Sequence, residues 1–276
     1  MKPLRTAAVL GAGAVGSALL EELPRAGLKV LAAWTRSSGL EPPPLLDVDV
    51  VLIAVPDAAV AAVCARLEVG PRQLVAHLAG ALDLAPLSAA RRKGARVGSL
   101  HPLRAFVRGQ RQHFDGAAAG ISGSGTDARE LLAGLARQLG MMPIPIGDRS
   151  RALYHAAAVL AAGSQVALFS EAVRAFRKAT GASEPAARSA LLPLALGALE
   201  KLRSTPAASA LTGPAVRGDL ETIAAHREAL PEDLLELYDA LTRVMLRLRE
   251  PGTRSPTPEA ASKSKHARSH RPRRRA

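Results

Sequence analysis

A tyrosine and a histidine stand side by side in the segment "RALYHAAAVLAAGSQ", at Tyr154 and His155, one helical turn after Arg151. The segment is alanine-rich, which favours a helix, and in a helix Arg151 and His155 share a face. Imidazole and phenol groups can give a proton to a substrate heteroatom, and histidine has the pKa best suited to this near neutral pH. We therefore predict His155 as the first candidate catalytic residue, with Tyr154 and His101 behind it. The alternative for His155 is a structural hydrogen bond, and for His101 a bond to a loop carbonyl.

Arginine supplies a different chemistry in the same segment. A guanidinium binds a carboxylate through two parallel hydrogen bonds, so Arg151, Arg104 or Arg217 could hold an anionic substrate. Arg151 completes the set of candidate catalytic residues, although a guanidinium is a poor acid at neutral pH because it scarcely deprotonates.

A second chemical signal lies at the start of the chain, in "TAAVLGAGAVGSALLEEL". A short apolar strand, about Thr6 to Leu10, precedes glycines with G-x-G-x-x-G spacing, and a helix follows, which is the context that a dinucleotide-binding loop requires. The first glycine permits a tight turn, the second lets the backbone approach a pyrophosphate, and the third lets helix and strand pack closely. The candidate cofactor-binding residues here are Gly11, Ala12, Gly13, Ala14, Val15 and Gly16.

The next strand, about Lys29 to Trp34, bears on the choice of nucleotide. NAD-binding sites usually place an acidic residue near the end of this strand to hold the ribose hydroxyls, but here Thr35, Arg36 and Ser37 follow it. A guanidinium flanked by hydroxyl groups suits the 2′-phosphate of NADP. We therefore predict NADP as the cofactor; the alternative is that Arg36 is an ordinary exposed arginine.

Further strands place more candidates at one edge of a sheet. The continuous apolar run from Val50 to Val55 is typical of a parallel strand covered on both faces, and Pro56 follows it. Other strands end at His77 and at His101. Ligands of open α/β sheets bind beyond the carboxyl ends of the strands, which adds Val55, Pro56 and His77 to the predicted cofactor site. His77 could equally shape the loop next to the nicotinamide.

These patterns predict an α/β protein with an N-terminal Rossmann-type parallel sheet over residues 1–147. From Asp148 the strand signals stop, and long helical patterns, including one from about Arg149 to Thr180, predict an all-α domain over 148–250. We expect the substrate site in the cleft between these domains.

The end of the chain has a different composition. Residues 251–276 supply +7 of the formal net charge of +13 and contain few apolar residues, so we predict a disordered basic tail. Contact of this tail with nucleic acid is conceivable, but a solvated tail is favoured.

Other residue types limit the function. Cys64 is the sole cysteine, which excludes an internal disulfide and fits a reducing, cytoplasmic compartment. The seven histidines lack the spacing of zinc ligands, so we predict no metal site. No apolar run looks long enough to cross a membrane, so we predict no transmembrane helix.

Six segments together resemble a family of uncharacterised bacterial Rossmann-like oxidoreductases with a C-terminal helical domain of unknown function. They are "AVLGAGAVG", "VLIAVPD", "HLAG", "SLHPLRAF", "ALYHAAAVLAAGSQVAL" and "ALTGPAVRGDLETIAAH". That family looks like a relative of pyrroline-5-carboxylate reductase, ketopantoate reductase and 6-phosphogluconate dehydrogenase. The resemblance spans about residues 5–249. It implies NADP binding through Gly11, Gly13, Gly16 and Arg36, and a helical domain that forms a homodimer.

Three positions depart from the pattern of that family. Ala79 stands where the family usually has serine, Arg151 where it has lysine, and Gly163 lies where it has asparagine. In the wider superfamily, this lysine and asparagine are commonly the proton donor and the amide that positions the substrate. The sequence thus indicates an NADP-dependent reductase or dehydrogenase of a small, anionic carbonyl or imine metabolite. The alternative, favoured by Gly163 and Ala79, is a non-catalytic NADP-binding sensor or scaffold.

Overall fold

The computed structural model describes residues 3–39, 42–45, 47–107 and 109–249, and for Arg36 the backbone only. The chain divides into two compact units, residues 1–165 (unit 1) and 166–276 (unit 2). The predicted basic tail, 251–276, lies outside the described residues, so its predicted disorder stays a prediction.

Unit 1 is built on a seven-stranded sheet in the order β2-β1-β3-β4-β5-β6-β7. Its strands are β1 (Thr6–Leu10), β2 (Lys29–Trp34), β3 (Val50–Ile53), β4 (Leu74–His77), β5 (Arg96–Leu103), β6 (Ala118–Gly123) and β7 (Met142–Pro145). All neighbours pair in parallel except β5 and β6, which are antiparallel. The sequence prediction of a parallel sheet is therefore correct for five of the six pairings. The exception has a local cause, because no helix is formed in the described connection between β5 and β6, and a parallel pair needs a crossover.

Both faces of this sheet are buried, as the uninterrupted apolar strands require. Val50 and Leu52 belong to one apolar cluster, whereas Val51 and Ile53 belong to the other, because successive side chains of a strand point to opposite faces. The covering helices are α1 (Ala14–Arg25), α2 (Val60–Ala65), α3 (Ser88–Arg92) and α4 (Thr126–Gln138).

The remaining helices follow β7 and confirm that the C-terminal part is helical. They are α5 (Arg151–Ala161), α6 (Gly163–Thr180), α7 (Glu184–Glu200), α8 (Ala207–Ala210), α9 (Pro214–Arg217), α10 (Leu220–Ala229) and α11 (Glu232–Arg249). The single helix expected over about 149–180 is interrupted at Ala162, whose φ and ψ are −124° and −72°. Glycine has a low helix propensity, so Gly163 is a natural place for the break.

The two units divide after residue 165, whereas the sequence predicts a domain boundary after residue 147. The difference is helix α5. Helix α5 belongs to unit 1. It carries Arg151, which is buried, and Tyr154, which bonds to a residue of β5. The sequence boundary follows the last strand, whereas the contacts of α5 attach this helix to the sheet.

The helical segment from Asp148 to Thr180 also corrects the expectation about membranes. By length and composition it could cross one, with a mean hydropathy of 1.5, and only 6% of the scored stretch is buried. Its apolar character comes from many alanines spread over α5 and α6 rather than from one run of large side chains. One such helix is weak evidence for a membrane span, since helices of soluble proteins meet the same criteria.

Candidate functional site

The glycine loop after β1 has the backbone that a dinucleotide site needs. Gly11 has a φ of 111°, and a Cβ there would collide with the carbonyl group of Ala54. A Cβ on Gly16 would collide with the carbonyl oxygen of Gly11, so strand and helix meet closely here. By contrast, a Cβ built on Gly13 has no atom of a described residue within 4 Å, its chain neighbours aside. Gly13 therefore faces open space, which is where a pyrophosphate would approach.

Helix α1 begins directly after Gly13, and no side chain caps its start. The first amide groups of a helix lack partners within the helix and carry a partial positive charge, so they attract an anion. Ala12, Ala14 and Val15 are only partly buried around this start. The residues present thus fit the pyrophosphate of a dinucleotide.

Next to this loop lies the segment after β2. Thr35 Oγ1 is 2.7 Å from Ser37 Oγ and 3.0 Å from Ser38 Oγ, so three hydroxyl groups are gathered at the end of the strand. Arg36 opens the short turn Arg36–Ser38, and its side chain lies outside the described part of the structure. Its role as a phosphate ligand stays a prediction.

Three further predicted residues follow β3 and β4 at the same edge. Val55 Cγ1 is 3.1 Å from the Cβ position of Gly11, and Pro56 is exposed. His77 is fully buried, and its Nε2–H donates to the carbonyl oxygen of Asp83 over 2.9 Å. Burial lowers the pKa of His77, which favours the neutral imidazole. His77 therefore holds the loop from Leu78 to Asp83 in place.

Helix α5 lies on the face of β5 that presents Ser99 and His101. Arg151 donates to Ser99 Oγ, and Tyr154 bonds with His101. The two spacings differ by about 2 Å, because two strand residues advance about 6.8 Å and three helix residues about 4.5 Å, and the long side chains of Arg151 and Tyr154 span the difference. The sequence analysis missed Ser99, although residues two apart on a strand share a face and His101 was already a candidate.

The pair formed by Tyr154 and His101 is the best-defined polar group at this edge. The phenol oxygen is 2.9 Å from His101 Nδ1, and the two rings meet edge to face with centroids 5.6 Å apart. Burial, reinforced by His155 and Arg151, lowers the pKa of His101 to about 4, so its imidazole is neutral at physiological pH. Burial raises the pKa of Tyr154, so its phenol keeps its proton.

Two glycines, both missed by the sequence analysis, make room for these rings. Gly120 pairs with His101 across β5 and β6, and a Cβ on Gly120 would collide with the hydroxyl group of Tyr154. A Cβ on Gly80 would lie 2.5 Å from His155 Nδ1 and 2.8 Å from His101 Nε2. A glycine inside a strand pattern signals a close approach, so the sequence did contain a clue to Gly120.

His155 completes the cluster. Its ring lies 5.8 Å from that of His101, centroid to centroid, and its Nδ1 is buried without a hydrogen-bond partner among the described residues. An unpaired buried nitrogen is costly, so the close packing of His155 against Gly80 is achieved at some expense of stability. The structure thus brings all four candidate catalytic residues together, within unit 1.

Arg151 occupies a different place from the other three. Its side chain is only 3% exposed, it donates to Ser99, and its Nε is 3.8 Å from a carboxylate oxygen of Asp148. This burial leaves no open access to a substrate carboxylate. Arg151 instead fastens the start of α5 to β5.

An open cavity of about 610 Å³ adjoins the cluster. His101, Tyr154 and His155 line its polar end, and small residues of α5 line much of the remainder. Arg104 is the one arginine or lysine among the described residues that line it. Within the described ranges, no group of three or more His, Cys, Asp or Glu side chains is arranged to hold a metal ion.

The low pKa of His101 predicts a pH dependence of stability. Between about pH 4 and 6.5 the unfolded chain binds more protons at this residue than the folded chain, so the free energy of unfolding falls as pH is lowered through this window. The contribution of His101 between pH 7.5 and 5 is about 2 kcal/mol. We expect His101→Asn to reduce the pH dependence by this amount in urea unfolding. Equal slopes for the wild type and His101→Asn would contradict the assignment.

Comparisons with known proteins give a domain and a fold. Residues 117–245 match the domain of unknown function DUF2520. No curated protein sequence matches the chain. A candidate NADP oxidoreductase from Bacteroides fragilis is 20% identical, with a TM-score of 0.69 over 88% of this chain and 98% of the other.

Two further solved structures share the fold. The 1-pyrroline-5-carboxylate reductase of Streptococcus pyogenes is 14% identical, with a TM-score of 0.59 over 88% of this chain and 98% of its own. A reductive aminase from Aspergillus terreus, solved with NADPH and ethyl-5-oxohexanoate, is 18% identical, with a TM-score of 0.57 over 89% and 94%. The chain thus has a Rossmann-like sheet followed by helices, and the residues that match DUF2520, 117–245, include β6 and β7 of that sheet as well as most of the helices after it. This confirms the resemblance to Rossmann-like proteins with a C-terminal helical domain of unknown function.

Proposed function

We propose that the protein is an NADP-dependent oxidoreductase that reduces the carbonyl or imine group of a small anionic metabolite. The observation that carries the proposal is the placement of the Tyr154–His101 pair at the sheet edge that also holds the glycine loop. The fold shared with a candidate NADP oxidoreductase and with an NADPH-bound reductive aminase supports the nicotinamide cofactor.

The residues that would hold NADP lie at the carboxyl edge of the sheet. The start of α1, with Gly11, Gly13 and Gly16, would bind the pyrophosphate, and Thr35, Arg36 and Ser37 the 2′-phosphate. When bound, the cofactor supplies the hydride chemistry. The buried His77 keeps the loop from Leu78 to Asp83 in a fixed position beside the reacting groups.

Tyr154 is the proton donor of the proposed reaction. Its raised pKa keeps the phenol protonated, and the neutral His101 can donate from Nδ1 to the phenol oxygen as that oxygen gains charge. His155 lines the cavity beside the pair, where its ring can contact the substrate. Arg151 positions α5 through Ser99, and the exposed Arg104 binds the anionic group of the substrate at the rim of the cavity.

The proposal is tested by following NADPH oxidation with a panel of 2-oxo acids, aliphatic ketones, cyclic imines, and ketone–amine mixtures. Turnover of at least one compound, lost in Tyr154→Phe, is the expected result. Tight NADPH binding with no turnover across the panel would instead support the second candidate, a non-catalytic NADP sensor or scaffold. That candidate is favoured by Gly163, which lines the cavity without a side chain that could bind a substrate.

Arg36 provides a test of the choice between NADP and NAD. We expect Arg36→Glu to weaken NADPH binding about a hundredfold and NADH binding only a few-fold, because only NADPH carries the 2′-phosphate. Titration of the fluorescence of each reduced nucleotide measures both affinities, with Arg66→Glu as the control. Equal losses for the two nucleotides would overturn the NADP assignment.

We also propose that the protein is a homodimer formed through its helical domain. Large apolar side chains of α7 are exposed in the single chain, Leu194 at 72% and Leu196 at 57%, and Leu153 of α5 at 76%. Exposed apolar surface of this kind marks an interface.

Light scattering should therefore give twice the chain mass of 28.7 kDa. Leu192→Glu/Leu196→Glu, two exposed positions one turn apart on α7, should produce monomers, whereas Ala224→Glu on α10 should not. A monomeric wild type, or a wild type that requires detergent for solubility, would contradict this proposal.

The proposal also covers the cellular compartment of the protein and its basic tail. We assign the protein to the cytoplasm, on its single cysteine and its likeness in fold to soluble reductases. Contact of the tail at 251–276 with nucleic acid is the less favoured role, and removal of the tail should leave NADPH binding unchanged.

A further inference from the structure

The cavity beside the Tyr154–His101 pair is polar only at one end. There it is lined by His101, Tyr154 and His155, and Arg104 stands at the exposed rim. The other described residues of the lining are apolar or glycine, and they belong to α5, to the two residues after it, and to the end of β5 with Ala105 after it. A volume of about 610 Å³ is in the range of small-molecule sites.

We infer that this cavity selects a substrate with an aliphatic body, and that Ala158 and Ala161 of α5 set the size of the body that fits. The inference rests on the proposed function and adds the substrate class to it. The reacting carbonyl or imine carbon lies at the polar end, and the chain of carbon atoms lies along α5. A sugar-like or phosphorylated metabolite is excluded by the same lining.

The exclusion follows from hydrogen bonding. A hydroxyl group buried against alanine side chains loses its bonds to water without gaining a partner, which weakens binding about tenfold or more for each such group. A phosphate dianion needs several donors or cations, and among the described lining residues Arg104 is the one arginine or lysine, already donating to the carbonyl oxygen of Asp115. An aliphatic chain gains instead from leaving water.

The size limit follows from the positions of the alanines on the helix. Ala158 and Ala161 are four and seven residues after Tyr154, so they lie on the same face as the proposed proton donor. Replacing either by leucine adds three carbon atoms inside the cavity. Ala156 is exposed on the same helix and does not line the cavity, so it offers a matched control.

The test measures binding by calorimetry on the full chain, with and without NADP⁺, so it does not depend on turnover. The probes are hexanoate and gluconate, which share six carbons and one carboxylate, whereas gluconate carries five hydroxyl groups. We expect hexanoate to bind at least about tenfold more tightly, since one unpaired hydroxyl group already costs about that factor. Equal or tighter binding of gluconate would overturn the inference.

Variants locate the binding site of hexanoate. Ala158→Leu should weaken hexanoate binding about tenfold and propionate binding much less, whereas Ala156→Leu should change neither. Unchanged hexanoate binding in Ala158→Leu would overturn the inference. A variant that fails to fold is replaced by Ala161→Leu, and the comparison of hexanoate with gluconate stands on the wild type. Preference for hexanoate without turnover of any carbonyl compound would refute the proposed reaction and leave the apolar site standing.

Discussion

Tyr154→Phe should lower kcat about a hundredfold to a thousandfold on any substrate that the panel identifies, while the affinity for NADPH stays unchanged. A positioned general acid contributes about this much to a rate, and phenylalanine keeps the ring but removes the proton. Stopped-flow measurement of NADPH oxidation separates this loss from binding. His155→Gln should cost less, because in this account His155 contacts the substrate and does not supply the proton.

The second unit of the chain offers a matched control. Tyr238 and His226 form a similar pair, with the phenol oxygen 2.8 Å from Nδ1 and the ring centroids 5.9 Å apart. Tyr238→Phe removes the same hydroxyl group from the same kind of contact and should leave kcat unchanged. If His155→Gln abolished turnover while Tyr154→Phe preserved it, His155 would be the donor, as the sequence alone suggested.

Gly13→Ala should weaken NADPH binding about a hundredfold without destabilising the protein. The Cβ at this position meets no atom of a described residue within 4 Å, its chain neighbours aside, so the fold can accept it, yet it occupies the space through which a pyrophosphate would approach the start of α1. Fluorescence titration gives the affinity, and thermal unfolding without nucleotide gives the stability.

Gly16→Ala shows the opposite behaviour and serves as the comparison. Its Cβ would collide with the carbonyl oxygen of Gly11, so both stability and binding should fall. The contrast separates a glycine needed for the ligand from a glycine needed for packing. Unchanged NADPH affinity in Gly13→Ala would show that the nucleotide does not bind at this loop.

Most of the fold could be predicted because its signals are local. The apolar runs at Val50–Ile53 and Leu74–His77 mark buried strands without any knowledge of their neighbours. The antiparallel direction of β6 could not be seen in this way, since strand composition does not record direction. The interruption at Ala162 was missed because the alanine-rich pattern continues through Gly163.

The sequence allowed the chemically active residues of the site to be predicted, but not the residues that they contact. Tyr154, His155 and His101 stood out because their side chains carry chemistry. Ser99 did not stand out, because its bond to Arg151 joins positions 52 residues apart. Gly80 and Gly120 acquire their importance only from the rings that pack on them, and those rings belong to distant segments.

The burial of Arg151 also could not be deduced from the sequence. An arginine at the start of an exposed-looking helix suggests a ligand for a substrate carboxylate. In the structure its guanidinium turns toward β5, and burial lowers its pKa from the usual value. Its role in the proposed reaction is therefore to position α5.

The central claim is that the nicotinamide binds beside the Tyr154–His101 pair, and a crystal structure of the protein with NADP⁺ tests it most directly. We expect the pyrophosphate at the start of α1, next to Gly13, and the nicotinamide ring facing the hydroxyl group of Tyr154 across the cavity. A nicotinamide bound away from Tyr154, or a nucleotide bound elsewhere on the chain, would contradict it.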